Sequence, residues 1–174
     1  MNIFFLHKNP HDAARLQCDQ HVVKGILEVA QMLSTAIYVL DRERYNYEGA
    51  YLKPTHASHP TAVWVRRTTE NYDWTYSYFV ALRTAYEARF KRTHAYEKLG
   101  SYVCLPPKCL VEWAKTAPNT HGQLTLPPLV MPDQYKPNPY ATLDDTVYAY
   151  RRYYRGEKKK FARYRYTETP EFML

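Results

Sequence analysis

The chain has 174 residues, 45% of them apolar, and a formal net charge of +7. That length fits one domain with a core of its own, and the apolar share excludes a disordered protein. No run approaches the roughly 20 apolar residues of a transmembrane helix, and the charge order of the N-terminus is wrong for a signal peptide.

An extended start over residues 2–6 precedes a turn at Asn9-Pro10 and a brief helical piece over 12–17. A long helix is expected over 19–40, with Asp19 as its N-cap. Residues 41–59 read as loop, punctuated by Asn46, Gly49 and Pro54. Pro60 suits the first position of a second long helix over 60–90. Eight of the twelve prolines lie between Pro106 and Pro139, so 101–142 reads as irregular apart from a short helix over 109–114. A last helix over 143–154 runs into a basic tail. The expected class is mainly α, a single-domain helical bundle: a helical core over 1–100, the Pro-rich segment over 101–142, and a C-terminal helix and tail over 143–174.

The first long helix carries a narrow polar seam. His21, Lys24, Glu28, Gln31 and Thr35 recur in steps of three and four and so share one face. Val22, Val23, Ile26, Leu27, Val29, Ala30 and Leu33 fill most of the remaining circumference, the pattern of a buried helix. The seam then lines a cleft, or else it is a thin solvated face.

On the second expected helix, Trp64, Arg67, Asn71, Trp74 and Tyr78 fall in one sector. Arg and Asn can hold a phosphate or a base edge and flat rings can sandwich a base. The alternative is a core Trp pair with Arg67 reaching out to solvent. His56 and His59 stand before this helix without an acidic or Cys partner at metal-ligand spacing, so no metal is expected; phosphate binding or capping suits them better.

Charge is concentrated at the end. Arg151, Arg152, Arg155, Lys158, Lys159, Lys160, Arg163 and Arg165 face one acid, Glu157, and are interleaved with Tyr153, Tyr154, Phe161, Tyr164 and Tyr166. Cations that hold phosphates beside rings that stack on unpaired bases point to nucleic acid. A solvated basic tail whose rings pack on the core is the other possibility. Cys18, Cys104 and Cys109 contain no Cys-x-x-Cys pair, which favours a reducing cytosol.

Asp19-Gln20-His21 opens a helix with Glu28 nine residues after the Asp; Ala57-Ser58-His59-Pro60 and Trp64 to Arg67 follow, and Tyr150-Arg-Arg-Tyr-Tyr-Arg-Gly-Glu-Lys stands near the end. Together these segments resemble the phage-type pyrimidine-dimer DNA glycosylases, also called endonuclease V. The chain as a whole, through His-Val-Val-Lys, Leu-Ser-Thr-Ala, His-Pro-x-x-x-Trp-Val-Arg and Asn-Tyr-x-Trp, is also similar to a widespread group of phage proteins.

The glycosylase resemblance implies a small all-α enzyme whose N-terminal amine attacks C1′ of the sugar under a flipped or distorted pyrimidine, while a glutamate assists proton transfer. It makes Glu28 the acid/base and the amine of Asn2, or of Met1, the nucleophile. His21 joins them as a catalytic candidate, and Lys24, Gln31, Thr35, His56, His59, Trp64, Arg67, Asn71 and Trp74 become candidates for holding the nucleotide. Arg151, Arg152, Arg155, Lys158, Lys159, Lys160 and Arg163 would bind the DNA backbone. Three features depart from the family: Asn2 in place of a small residue, Leu27 in place of the Arg before the glutamate, and the Pro-rich insertion.

DNA is thus the expected partner, with no cofactor, membrane or protein partner, in the cytoplasm (the host's, for a phage protein). Two other functions stay open: a transferase acting on a hydroxymethylpyrimidine-type base, and a non-catalytic DNA-binding protein.

Overall fold

The computed structural model describes residues 2–48, 50–116 and 123–174, except the side chains of 47 and 48. Met1, whose removal the amine chemistry would need, lies outside these residues, as do Gly49 and Pro118. Among the described residues there are eight α-helices and no strand, a mainly α single domain.

Helix α1 (Pro10–Arg15) is capped by Asn9, whose side chain accepts from the His11 and Asp12 amides. Helix α2 (Asp19–Leu40) starts at Asp19 itself. The expected Asp19 cap is replaced by Cys18, which makes no side-chain capping bond, because the Asp19 carboxylate is engaged with Arg89 and with the Arg165 amide. By length and composition α2 could cross a membrane, but here Val22, Ile26, Val29 and Leu33 are buried in the core. Each such side chain contributes roughly 1.5–3 kcal/mol by leaving water.

The loop expected over 41–59 contains helix α3 (Arg42–Glu48). It is held by tertiary contacts that local sequence does not announce: the Arg44 guanidinium donates to the carbonyls of Tyr102 and Leu105.

The single helix expected over 60–90 is two. Helix α4 (Pro60–Val65) ends at Arg66, and the Thr68 side chain accepts from the Asn71 amide to start α5 (Thr69–Phe90). A threonine that can satisfy a free helix N–H competes with helix continuation, and here it prevails. The break removes the premise that Trp64 and Arg67 share one helical face with Asn71, Trp74 and Tyr78.

Helices α6 (Gly100–Val103) and α7 (Lys108–Thr116) interrupt the Pro-rich segment. From 123 the chain runs as a strap over the core to α8 (Leu143–Tyr153), which opens with a reciprocal Thr142–Asp145 capping box. The last turn widens into a π-helical turn, Tyr154–Lys158.

Helix α5 packs on both α1 and α2. Gly25 permits the close approach to α2, since a Cβ there would lie 3.1 Å from Leu82. The extended N-terminal segment threads this core: Ile3, Phe5 and Leu6 are buried, and Phe5 packs against both Trp64 and Trp74, at 5.2 and 4.7 Å between ring centroids.

Candidate functional site

Three elements meet at a cleft of about 260 Å³: the N-terminal segment (Asn2, Phe4), the first turns of α2 (His21, Lys24, Gly25, Glu28) and the end of α8 with its π-turn (Tyr153, Lys158). Gln17 and Tyr78 complete the wall. The first half of the polar seam therefore does line a cleft.

One polar contact in it joins the N-terminal segment to the seam. The main-chain nitrogen of Asn2 donates to Glu28 Oε2 at 3.0 Å. The side chain of Asn2 points the other way. Its Nδ2 donates to the Val130 carbonyl at 3.1 Å, and its Oδ1 lies 3.3 Å from the Tyr150 hydroxyl. The single proton of that hydroxyl is shared between Asn2 Oδ1 and the nearer Pro128 O, at 2.8 Å.

His21 forms one side of the cleft. Its ring stacks on Phe4, with centroids 4.7 Å apart and planes 15° from parallel, and its Nδ1 meets the Tyr154 hydroxyl at 2.7 Å. The same hydroxyl accepts from the Cys18 amide, so its own proton can go to Nδ1, an assignment that leaves Nε2 as the N–H of His21. Burial first, then the charges of Lys158 and Lys24, push the His21 pKa down to about 4. The ring is neutral at pH 7.

Lys158 comes back to the cleft through the π-turn, a device common at functional sites. Its ammonium sits 4.7 Å from the centre of the Tyr153 ring and 6.0 Å from that of Phe4. Gln17, buried, donates from Nε2 to the Tyr78 hydroxyl and to the Phe4 carbonyl. Burial raises the Tyr78 pKa, so it stays a protonated hydroxyl. One carboxylate, two ammonium groups, a neutral imidazole and a phenol thus line one cleft together with residue 2. Such a set can hold an anionic group while moving a proton at a nearby atom.

The remaining candidates lie elsewhere. Gln31 is half-buried one turn beyond Glu28. Thr35 is buried, and its hydroxyl bonds the Thr55 main chain, accepting from N and donating to O. His59 caps α4, its Nδ1 accepting from the Thr61 amide, and burial lowers its pKa. Exposed His56 bonds Thr55 Oγ1 from a left-handed backbone conformation (φ 49°).

On the Trp64–Arg67–Asn71–Trp74 face the structure matches the alternative of a core Trp pair with Arg67 reaching solvent. Asn71 is fully buried, and its amide is used up: Nδ2 donates to Trp64 O and Thr125 Oγ1, while Oδ1 accepts from the Thr125 amide. Trp64 and Trp74 are core rings whose indole N–H groups donate to the carbonyls of Thr125 and Lys8. Arg67 is exposed in the turn between α4 and α5. A buried amide with every group satisfied is a structural pin for the strap, not a ligand wall.

The tail divides as well. Arg151 donates from Nε to Leu6 O and lies over the Phe172 ring, so it belongs to the packing. Arg152 is exposed, reaching Gln134 O and the Tyr148 ring. Arg155, Lys159, Lys160, Arg163 and Arg165 are exposed. Among the described residues no group of three or more His, Cys, Asp or Glu can hold a metal ion.

Phe4, Gln17 and Gly25 carry no functional reading in the sequence, and Tyr78 and Tyr153 read there as parts of other surfaces. Only Gly25 had a sequence signal, a glycine inside an otherwise apolar helix, which marks a close approach.

Comparison of the chain with protein-family models, with curated proteins and with solved structures finds no match.

Proposed function

We propose that this protein is a DNA-acting enzyme that engages a pyrimidine nucleotide and excises its base by amine chemistry at residue 2, a glycosylase with lyase capacity. The observation that carries the reading is the 3.0 Å contact between the nitrogen of Asn2 and Glu28 Oε2 in a cleft with two lysines. With Met1 removed, that nitrogen is a primary amine beside a carboxylate, the arrangement an activated amine nucleophile needs.

In the proposed reaction Glu28 takes a proton from the amine. The nitrogen lone pair attacks C1′, the bond from C1′ to the base breaks, and the base leaves with the electron pair and takes up the proton that the new secondary ammonium sheds. Glu28 then gives its proton to the ring oxygen as the sugar opens to an iminium. Lys24 and Lys158 hold the flanking phosphates, and the exposed cations from Arg155 to Arg165 track the backbone.

The test combines intact-mass measurement of the purified chain with borohydride trapping on a duplex bearing an abasic site. The expected outcome is loss of Met1 and a covalent protein–DNA adduct mapped to Asn2. Retained Met1 with no adduct would overturn amine chemistry, because residue 2 would then present an amide. The same cleft would pass to group transfer onto a modified pyrimidine, which needs no amine.

A further inference from the structure

We infer that Asn2 is a clamp as well as a nitrogen donor: its side chain, held by the Val130 carbonyl and the Tyr150 hydroxyl, fixes the nitrogen of residue 2 against Glu28, and Tyr150 is the positioning residue of the site. The inference rests on the reading that this nitrogen reacts, and it assigns a task to the Pro-rich strap that the reading leaves unexplained.

An extended N-terminal residue has two ends free to swing, and a nucleophile on it loses rate steeply with small misplacement. Here residue 2 is held from opposite sides. Its nitrogen reaches Glu28 on α2, while its amide reaches the strap at Val130, 128 residues away, and α8 at Tyr150. The next residue, Ile3, is fully buried, so the chain cannot slide along its own axis.

Tyr150 is itself fixed. It is fully buried, and its oxygen also meets Pro128 O and the Val130 amide, at 2.8 and 3.4 Å. One hydroxyl therefore ties the strap and Asn2 to α8 together. A small residue at position 2 would expose an amine but could make neither side-chain bond.

The test compares the full-length parent with Tyr150→Phe and Tyr140→Phe. Tyr140 serves as the control because its hydroxyl also grips the strap, at Pro127, and contacts Thr146, but does not touch Asn2. Two quantities are read: solvent exchange of the Asn2 Nδ2 protons by NMR, and the rate of reductive trapping on abasic DNA. Tyr150→Phe should speed the exchange and slow the trapping, each at least tenfold, with DNA affinity within twofold of the parent. Tyr140→Phe should change neither.

Unchanged Asn2 exchange in Tyr150→Phe would overturn the clamp. So would Tyr140→Phe reproducing both effects, since Tyr150 would then merely hold the strap. If the parent itself does not trap, the proposed function fails, and the exchange measurement alone still decides the clamp. Should Tyr150→Phe not fold, Asn2→Leu removes both side-chain bonds at similar size; parent-like trapping in that variant would likewise overturn the clamp.

Discussion

Arg89 and Asp19 form a buried ion pair at 3.0 Å that ties the end of α5 to the start of α2. The guanidinium also donates to the carbonyls of Gln17 and Arg15, and the second oxygen of Asp19 accepts from the Arg165 amide. The first residue of the Asp-Gln-His triplet is thus a structural anchor that sets where His21 and Glu28 stand, two and nine residues further on.

Asp19→Asn should therefore be costly. It leaves Arg89 charged and uncompensated in the interior, a loss of about 3–5 kcal/mol for a buried pair. For a chain of this length the melting temperature should fall by roughly 6–20 °C. A change under about 2 °C would show that the pair contributes nothing net.

Asn71→Ala should act on stability, not on ligand binding. Three hydrogen bonds to Trp64 and Thr125 are lost inside the core, and a buried group left unpaired costs about 1–3 kcal/mol. The expected result in chemical denaturation is a loss above about 2 kcal/mol. DNA affinity of the folded fraction should match the parent.

The contrast between these two residues and Glu28 marks what was legible in the sequence. The helices expected over 12–17, 19–40, 109–114 and 143–154 lie within a few residues of α1, α2, α7 and α8. Steps of three and four residues put His21, Lys24 and Glu28 on one face, and the fold keeps them together. Thr68 breaks the helix and leaves Arg67 at the surface, while Trp64 and Thr125 take Asn71 into the core, the alternative that the sequence holds beside a ligand face. Helix α3, and the meeting of Asn2 with Glu28, depend on contacts between segments far apart in the chain, which no local pattern encodes.

Acid should weaken the fold through His21. Its pKa is about 4 in the folded state against an ordinary 6.5, so between those values the unfolded chain binds the extra proton. Stability should be fully present above about pH 6.5 and decline as pH falls towards 4, by at most about 3 kcal/mol. His21→Gln should flatten this part of the stability–pH curve. An unchanged slope would mean that the imidazole is not held neutral by its site.

DNA affinity should depend on salt through the cleft lysines and the exposed tail cations, and not through Arg151. Each neutralised phosphate adds roughly 0.9 to the slope of log affinity against log salt. Replacing Arg155, Lys160 and Arg163 with Gln should reduce the slope by about 2 to 3 on that rule. Arg151→Gln should instead lower stability, since that side chain is committed to Leu6 and Phe172. A parent slope near zero would remove the tail from any nucleic-acid role.

Glu28→Gln separates chemistry from architecture most cleanly. The substitution keeps the shape and an oxygen that can still accept from the nitrogen of residue 2, now 3.0 Å from Oε2. What it removes is the group that takes and returns a proton. If Glu28 performs that transfer, reductive trapping should slow by about 10²- to 10⁴-fold. DNA affinity should hold or improve, because a negative charge leaves a cleft shared with Lys24 and Lys158. The melting temperature should stay within a few degrees, since neither the core packing of α2 nor the Asp19–Arg89 pair is touched. A variant that traps at the parental rate would strip Glu28 of its catalytic role. A variant that unfolds would make the carboxylate part of the scaffold, with the same consequence.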